Sequence, residues 1–173
     1  MCGIIAGVTN NNILPALVNG LEKLEYRGYD SAGLAVIQNN QIHLVKTVGK
    51  VVELKKLLPQ KKLDSNIGIG HTRWATHGVP SVVNAHPHTT DRIALVHNGI
   101  IENYKELKHE LQGLGYGFKS ETDTEVVANL LDYYFSLNNN HIEASKQTIA
   151  RLDGSFSLVF MFLDADLLFA TFK

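Results

Sequence analysis

The sequence predicts an α+β fold in which antiparallel sheets pack against helices. Segments with strand character come in adjacent pairs along the chain, and segments with helical periodicity also follow one another. This order differs from the strict alternation of strand and helix that a parallel α/β fold requires. The chain has 173 residues and contains no repeat or Pro/Gly-rich linker, so we predict a single domain.

The first half of the chain contains four predicted strands and two predicted helices. Asn39-Asn40 separates two strand-like runs and is a hairpin signal. Pro15 is acceptable because it falls in the first turn of a helix. The patterns predict strands over 2–9, 32–38, 41–48 and 66–72, and helices over 14–24 and 51–58.

The second half begins with a long irregular loop. Residues 73–90 show no period and contain Gly78, Pro80 and Pro87. A loop of this length in a compact domain commonly carries function. Beyond it, the patterns predict a strand over 92–97, helices over 104–114, 127–134 and 142–152, and strands over 156–163 and 167–172.

Composition excludes several classes of protein. The formal net charge is −1, which gives no electrostatic reason to expect a nucleic acid or an anionic membrane as a partner. No apolar run is long enough to span a bilayer, and the N-terminus lacks the features of a signal peptide. The single cysteine cannot form an internal disulfide, which fits a reducing compartment. We therefore expect a cytoplasmic protein.

Cys2 has a chemical advantage because it directly follows the initiator methionine. Removal of Met1 would leave a cysteine with a free α-amine. An ordinary thiol has a pKa of about 8.5 and an α-amine about 7.7–8.0, so the amine can accept the thiol proton near neutral pH. Nucleophile and base would then share one residue. The alternative is that Cys2 is a small buried hydrophobic residue.

Seven strings favour the catalytic interpretation of Cys2. They are, in order, MCGIIAG, LEYRGYDSAG, HTRWATHG, NAHPH, HNGIIENY, SETDTEV and DGSFSLV. Together they resemble the glutaminase domain of the glutamine–fructose-6-phosphate aminotransferase (isomerizing) family, the glucosamine-6-phosphate synthases. Related amidotransferases share the initial Cys-Gly and an Asn-Gly, whereas HTRWATHG and YRGYDSAG resemble the sugar-phosphate branch.

The resemblance implies a fold, an activity and partners. The expected fold is the N-terminal nucleophile hydrolase sandwich, with four αββα layers and antiparallel sheets. The expected reaction is hydrolysis of L-glutamine to glutamate and ammonia, without a cofactor. The amidotransferase domain is expected over 2–173, without the family's last strands and the sugar-isomerase domains that bind fructose 6-phosphate. The alternatives are another amidotransferase branch, or an inactive fragment that only binds glutamine.

The resemblance also assigns the reacting groups. Cys2 would attack the side-chain amide carbon of glutamine and form a glutamyl thioester. The side chain of Asn98 and the backbone N–H of Gly99 would stabilise the tetrahedral oxyanion, an interaction worth about 3–4 kcal/mol per donor. The alternative for this pair is structural, because Asn-Gly after a strand is also a common hairpin turn.

Two charged residues would select an α-amino acid. By resemblance, Arg73 binds the α-carboxylate of glutamine, since a guanidinium pairs with a carboxylate through two hydrogen bonds. Asp123 would bind the α-ammonium group. An exposed charge on a loop is the alternative for Arg73. Asp123 also suits the first turn of a helix capped by a Thr122–Glu125 box, and both roles can coexist.

The remaining predicted site residues lie on two segments. Trp74, Thr76 and His77 fall in the aperiodic loop, which in the family closes over glutamine and excludes water. Ordinary core packing is the alternative for Trp74. The resemblance adds Arg27, Gly28 and His86 as supporting residues near the cysteine.

A cluster of histidines raises the alternative of a metallohydrolase. The histidines are His71, His77, His86, His88 and His97. Their spacing lacks the HExxH pattern, and no second cysteine is available as a ligand. We therefore predict no metal, and histidines that are hydrogen-bonded in turns and at strand ends.

Overall fold

The computed structural model describes residues 2–74 and 78–173. The strands are β1 (Gly3–Val8), β2 (Ser31–Gln38), β3 (Gln41–Val48), β4 (Ile67–Arg73), β5 (His88–Thr89), β6 (Ile93–Ile101), β7 (Gly154–Phe162) and β8 (Leu168–Phe172). The helices are α1 (Leu14–Leu24), α2 (Val51–Leu57), α3 (Tyr104–Gly113), α4 (Asp123–Asn138) and α5 (His141–Arg151), with a 3₁₀ turn over Glu25–Arg27.

The strands form two antiparallel sheets. One sheet has the order β1-β4-β2-β3 and the other has the order β5-β6-β7-β8. The β2–β3 hairpin turns at Asn39 and Asn40, whose φ angles are 53° and 56°. Asparagine tolerates this left-handed conformation better than most residues, and a two-residue turn of this kind matches the twist of the strands. The predicted hairpin is therefore confirmed.

Three apolar clusters hold four layers together. One cluster packs α1 and α2 on the first sheet, with Leu17, Leu21 and Leu34 fully buried. A second lies between the sheets and contains Ile69 and Val96. The third, larger cluster packs α3, α4 and α5 on the second sheet. The layers are therefore helices, sheet, sheet and helices, which confirms the predicted αββα sandwich.

The sequence-based prediction of a loop over 73–90 is partly wrong. Arg73 is the last residue of β4 and pairs with Ser31 of β2. His88 and Thr89 form β5, which pairs with β6. Each ladder extends only one or two residues into the segment, which is too short for an alternating pattern to be recognised.

The Asn-Gly dipeptide at 98–99 is not a hairpin turn. Strand β6 continues through both residues to Ile101, paired throughout with β7. Gly99 has φ of +127°, and a Cβ atom there would collide with the carbonyl oxygen of Ser155 on β7. Glycine is therefore required inside this strand because the neighbouring backbone approaches too closely for a side chain.

The predicted capping box of α4 forms only in part. The Thr122 hydroxyl accepts a hydrogen bond from the Glu125 N–H at 3.3 Å. The Glu125 carboxylate does not return to Thr122 and instead accepts the N–H groups of Lys119 and Ser120. The Thr122 N–H donates to the Ser120 hydroxyl, which satisfies the group that the box would have used.

Candidate active site

A cavity of about 650 Å³ opens beside the start of β1 and the ends of β4 and β6. Its volume suits a small organic molecule. Most of the predicted site residues line it: Cys2, Arg27, Arg73, Trp74, His86, Asn98, Gly99 and Asp123. Gly28 does not line the cavity. Thr76 and His77 lie outside the described residues.

Cys2 is held next to the end of β4. Gly3 pairs with Thr72, which brings the half-buried thiol of Cys2 to the backbone of Trp74. The Trp74 N–H donates a hydrogen bond to Sγ at 3.1 Å. Burial raises the pKa of the Cys2 thiol, although this N–H group acts in the opposite direction. A thiol with a raised pKa needs a nearby base before it can attack.

Trp74 is not a core residue, because 54% of its side chain is exposed. Its ring lies against Gly28, where φ is +103° and a Cβ atom would strike the indole. Gly28 follows the 3₁₀ turn that carries Arg27. The predicted turn near the cysteine is thus connected to the site through the tryptophan ring.

The two donors predicted for the oxyanion lie in consecutive positions of β6. Asn98 is adjacent to Cys2, and its Nδ2 atom lies 3.4 Å from the Cys2 carbonyl oxygen. Gly99 also lines the cavity. Because both residues belong to an inner strand, a rigid element sets their positions.

Arg73 and Asp123 bring opposite charges to the cavity wall while being almost fully buried. The Arg73 guanidinium lies 3.5 Å from an oxygen of Asp30 and donates to the Gly78 carbonyl at 3.2 Å. Asp123 Oδ2 accepts the Ile101 N–H at 2.9 Å. Within the described part of the chain its Oδ1 atom has longer contacts, 3.4 Å to the Thr124 hydroxyl and 3.8 Å to His97 Nδ1.

The segment over 84–88, of which only His86 was predicted as a supporting residue, fixes the start of α4. Its polar side chains alternate along the chain and bind residues on both sides of Asp123. The pairs are Asn84 with Glu121 at 3.0 Å, His86 with Thr124 at 2.8 Å, and His88 with Thr122 at 2.9 Å. The alternation in NAHPH is the signal that could have predicted one polar face of an extended segment.

The same segment is attached to the first sheet. Lys46 of β3 donates through Nζ to the carbonyl oxygens of Val83 and Ala85 at 3.2 and 2.7 Å. Burial lowers the pKa of this lysine to about 8. Gly33 of β2 leaves room for the His86 carbonyl, which a Cβ atom would strike. The segment therefore bridges the first sheet and the helix that carries Asp123.

The histidines form hydrogen bonds and ring contacts. His71 and His86 stack with ring centroids 4.3 Å apart, and His97 Nδ1 lies 2.9 Å from the Thr124 hydroxyl. Within residues 2–74 and 78–173, no group of three or more His, Cys, Asp or Glu side chains is placed to hold a metal ion. Burial lowers the pKa of His86 and His88 well below its usual value and that of His71 to about 4.

We expect acid to destabilise the protein because these histidines are buried in the neutral state. As the pH falls from about 6.5 to about 4, the unfolded chain binds protons that the folded chain does not, so the free energy of unfolding decreases. Each histidine contributes up to about 1.4 kcal/mol per pH unit. Urea unfolding at several pH values measures this slope.

A pair of histidine variants separates this effect from general acid sensitivity. His88→Gln removes a buried titrating group and should reduce the slope. His109→Gln makes the same substitution at an exposed histidine and is the reference against which the slope of His88→Gln is compared. A free energy of unfolding that stays constant between pH 7 and pH 5 would contradict the prediction.

None of the helices in the described part of the chain has the length and apolar character needed to cross a membrane. The fold is the αββα sandwich of the N-terminal nucleophile hydrolases, and Cys2 lies directly ahead of its first strand. Residues 71–171 match the family model described as "Glutamine amidotransferase domain". The chain belongs to this family.

Relatives with about half of their residues identical cover almost the whole chain. The glutamine–fructose-6-phosphate aminotransferases (isomerizing) of Acinetobacter baylyi and Mesorhizobium japonicum are 51% and 50% identical, over 91% and 97% of this chain. That of Pyrococcus horikoshii is 50% identical over 95%. The aligned part is 26–28% of each relative, so the chain spans about a quarter of their length.

Solved structures of proteins with other names share this fold. The glutamine phosphoribosylpyrophosphate amidotransferase of B. subtilis, solved with ADP and GMP, superposes with a TM-score of 0.81 at 24% identity. The superposition covers 99% of this chain and 36% of the B. subtilis chain. A regulatory enzyme of purine biosynthesis gives 0.79 at 25% identity, over 94% of this chain and 36% of the other.

Proposed function

We propose that the chain hydrolyses L-glutamine to L-glutamate and ammonia through a thioester on Cys2. The observation that supports this most is the shared cavity. A thiol, two potential oxyanion donors and two opposite charges line one volume of the size of a small molecule. Family membership supports glutamine as the amide that is cleaved.

The reaction needs a base, because burial raises the pKa of the thiol. In the proposed mechanism Met1 is removed and the α-amine of Cys2 accepts the thiol proton. Sγ then attacks the side-chain carbonyl carbon of glutamine, and the negative charge moves to the carbonyl oxygen. Asn98 Nδ2 and the Gly99 N–H donate to that oxygen.

The intermediate collapses when the protonated amine returns its proton to the leaving nitrogen. Ammonia departs and the glutamyl group stays on sulfur as a thioester. The free amine then takes a proton from water, which attacks the thioester through a second oxyanion at the same donors. Glutamate leaves and the thiol is restored.

Selection of an α-amino acid follows from the buried charges. Arg73 would bind the α-carboxylate, and the Oδ1 side of Asp123 would bind the α-ammonium group. Both charges are held by other contacts before substrate arrives, since Arg73 contacts Asp30 and Gly78, and Asp123 accepts the Ile101 N–H. A rigid charge pair favours a ligand with the complementary zwitterion.

Trp74 and Arg27 would shield the reaction from water, together with Thr76 and His77. The exposed indole already rests on Gly28 at the cavity wall, where it can cover bound glutamine. Exclusion of water matters because ammonia that escapes or becomes protonated is useless as a nucleophile.

We further propose that residues 2–173 form the ammonia-supplying domain for glucosamine 6-phosphate synthesis from fructose 6-phosphate. The partners would be sugar-isomerase domains, with no nucleic acid or membrane involved, in the cytoplasm. The aminotransferase relatives share about half of their residues with the chain, whereas the purine-pathway structures share about a quarter. This difference favours the sugar-phosphate branch over another amidotransferase.

The experiment that tests the hydrolysis proposal is covalent labelling with an electrophilic diazoketone analogue of glutamine. The label should appear on the peptide that contains Cys2, and glutamine should protect against it. Ammonia and glutamate should form in equal amounts from glutamine alone. An analogue that labels the protein elsewhere, or a chain that binds glutamine without turnover, would contradict the proposal.

Arg73→Lys is expected to raise the KM for glutamine by about 10- to 100-fold, with a smaller change in kcat. Lysine keeps the charge but loses the paired hydrogen bonds to a carboxylate, and a charged hydrogen bond is worth about 1.5–3 kcal/mol. Steady-state glutamate release measures both parameters.

Arg92→Lys is the matched control. Arg92 binds Asp132 of α4 at 2.8 Å and does not line the cavity. This variant makes the same chemical change away from the site, so its KM should equal that of the wild type. If Arg73→Lys also has an unchanged KM, Arg73 does not bind the α-carboxylate.

A further inference from the structure

His71 contacts a predicted catalytic residue without facing the cavity. It lies in β4, is fully buried and is absent from the cavity wall. Its Nε2 atom lies 2.8 Å from Oδ1 of Asn98 and 3.0 Å from the backbone carbonyl oxygen of His97. A side chain in this position can act on the reaction through Asn98 without touching the substrate.

The backbone carbonyl of His97 determines which ring nitrogen of His71 carries the proton. A carbonyl oxygen can only accept a hydrogen bond, so Nε2 must bear hydrogen. Nε2 then has no lone pair, and the atom of Asn98 that faces it must be an acceptor. The hydrogen-bond network thus assigns Oδ1 to the side of His71. Nδ2 is consequently on the side of Cys2, 3.4 Å from its carbonyl oxygen.

The His71 ring is uncharged and held in place. Burial lowers its pKa to about 4, so Nδ1 carries no proton at neutral pH. Nδ1 has no hydrogen-bond partner in the part of the chain that the structure describes. The ring stacks on His86 at an interplanar angle of 26°. No hydrogen bond at Nδ1 within the described residues therefore pulls the ring away from Asn98.

We propose that His71 is a positioning residue that fixes the amide of Asn98 so that its nitrogen, and not its oxygen, meets the oxyanion. The inference rests on the proposed function. A reversed amide would place the lone pairs of Oδ1 against the developing negative charge, which turns a stabilising contact into a repulsive one. Only the orientation with Oδ1 toward His71 gives the Nε2–H group of His71 an acceptor on Asn98.

Two substitutions of similar polarity test the role. Glutamine carries its amide nitrogen three bonds from Cβ, as histidine carries Nε2, and can donate to the same two oxygens. Asparagine carries its nitrogen one bond closer, at the place of Nδ1. We expect His71→Asn to lower kcat about 10²-fold with KM within about twofold, and His71→Gln to stay within about tenfold of the wild-type kcat.

A double-mutant cycle with Asn98→Ala separates positioning from general damage. If His71 acts through Asn98, His71→Asn should cause little further loss of kcat in the Asn98→Ala background. Equal losses in both backgrounds would overturn the inference. An inactive wild type, or Asn98→Ala with full activity, would instead refute the proposed function or the oxyanion role of Asn98.

A measurement on the wild type avoids dependence on whether the variants fold. Imidazole ¹⁵N chemical shifts at neutral pH distinguish a protonated nitrogen from an unprotonated one. We expect His71 to show a protonated Nε2 and an unprotonated Nδ1. A proton on Nδ1 alone would leave Nε2 as an acceptor, would allow the opposite amide orientation, and would overturn the inference.

Discussion

Replacing Cys2 with alanine is expected to reduce the rate of glutamine hydrolysis by at least about 10⁴-fold. Loss of a nucleophile removes the covalent route, and only the binding and oxyanion groups remain. Release of ¹⁵N-ammonia from amide-labelled glutamine would measure the residual rate. Hydroxylamine, which intercepts the thioester, should yield γ-glutamyl hydroxamate with the wild type and none with the variant.

Glutamine binding is the control for this variant. Arg73 and Asp123 lie on other elements and keep their contacts, so Cys2→Ala should still bind glutamine. Calorimetry measures this binding without turnover. A variant that binds glutamine and still releases ammonia near the wild-type rate would refute the thioester mechanism.

A chain that keeps a residue in front of Cys2 is expected to hydrolyse glutamine about 10²- to 10⁴-fold more slowly at neutral pH. An amide nitrogen cannot accept a proton, so the thiol loses its base, and general base catalysis typically contributes this factor. The effect should be large here because burial raises the pKa of the thiol. Intact mass spectrometry quantifies the fraction that retains Met1, and glutaminase activity should follow the trimmed fraction.

Removing Met1 from the slow material provides the matched comparison. Treatment with a methionine aminopeptidase changes one residue in an otherwise identical sample and should restore activity. Acetylation of the newly freed amine should abolish it again. Equal rates for trimmed and untrimmed chains would show that another group accepts the proton.

Local patterns predicted the elements well where a single period covers the whole element. The helix over 14–24 and the hairpin at Asn39-Asn40 agree with the structure because their signals involve neighbouring residues. The end of β4 and the two-residue β5 were missed because pairing with distant strands creates them. The Asn-Gly signal was ambiguous for the same reason, since only β7 explains why β6 continues through it.

The residues of the candidate site also divide into those that the sequence indicated and those that only the structure shows. Resemblance indicated Cys2, Arg73 and Asp123, and the structure places all three on one cavity. It did not indicate Asn84, His88 or His71, whose side-chain partners lie 27 to 37 residues away in the chain. Sequence position alone cannot show that a histidine on one sheet faces the amide of an asparagine on the other.

The continuation of β6 through Asn98 and Gly99 restricts how this site can change. The two groups that would donate hydrogen bonds to the oxyanion lie on β6, an inner strand of its sheet. Gly99 leaves no room for any side chain. Moving them along the sheet would require a one-residue shift in the register of β6 against β7, which would turn the buried face of the strand outward. Adaptation to a different amide must therefore come from cavity residues outside this strand, such as Arg27 and Trp74, which can vary without disturbing the ladder.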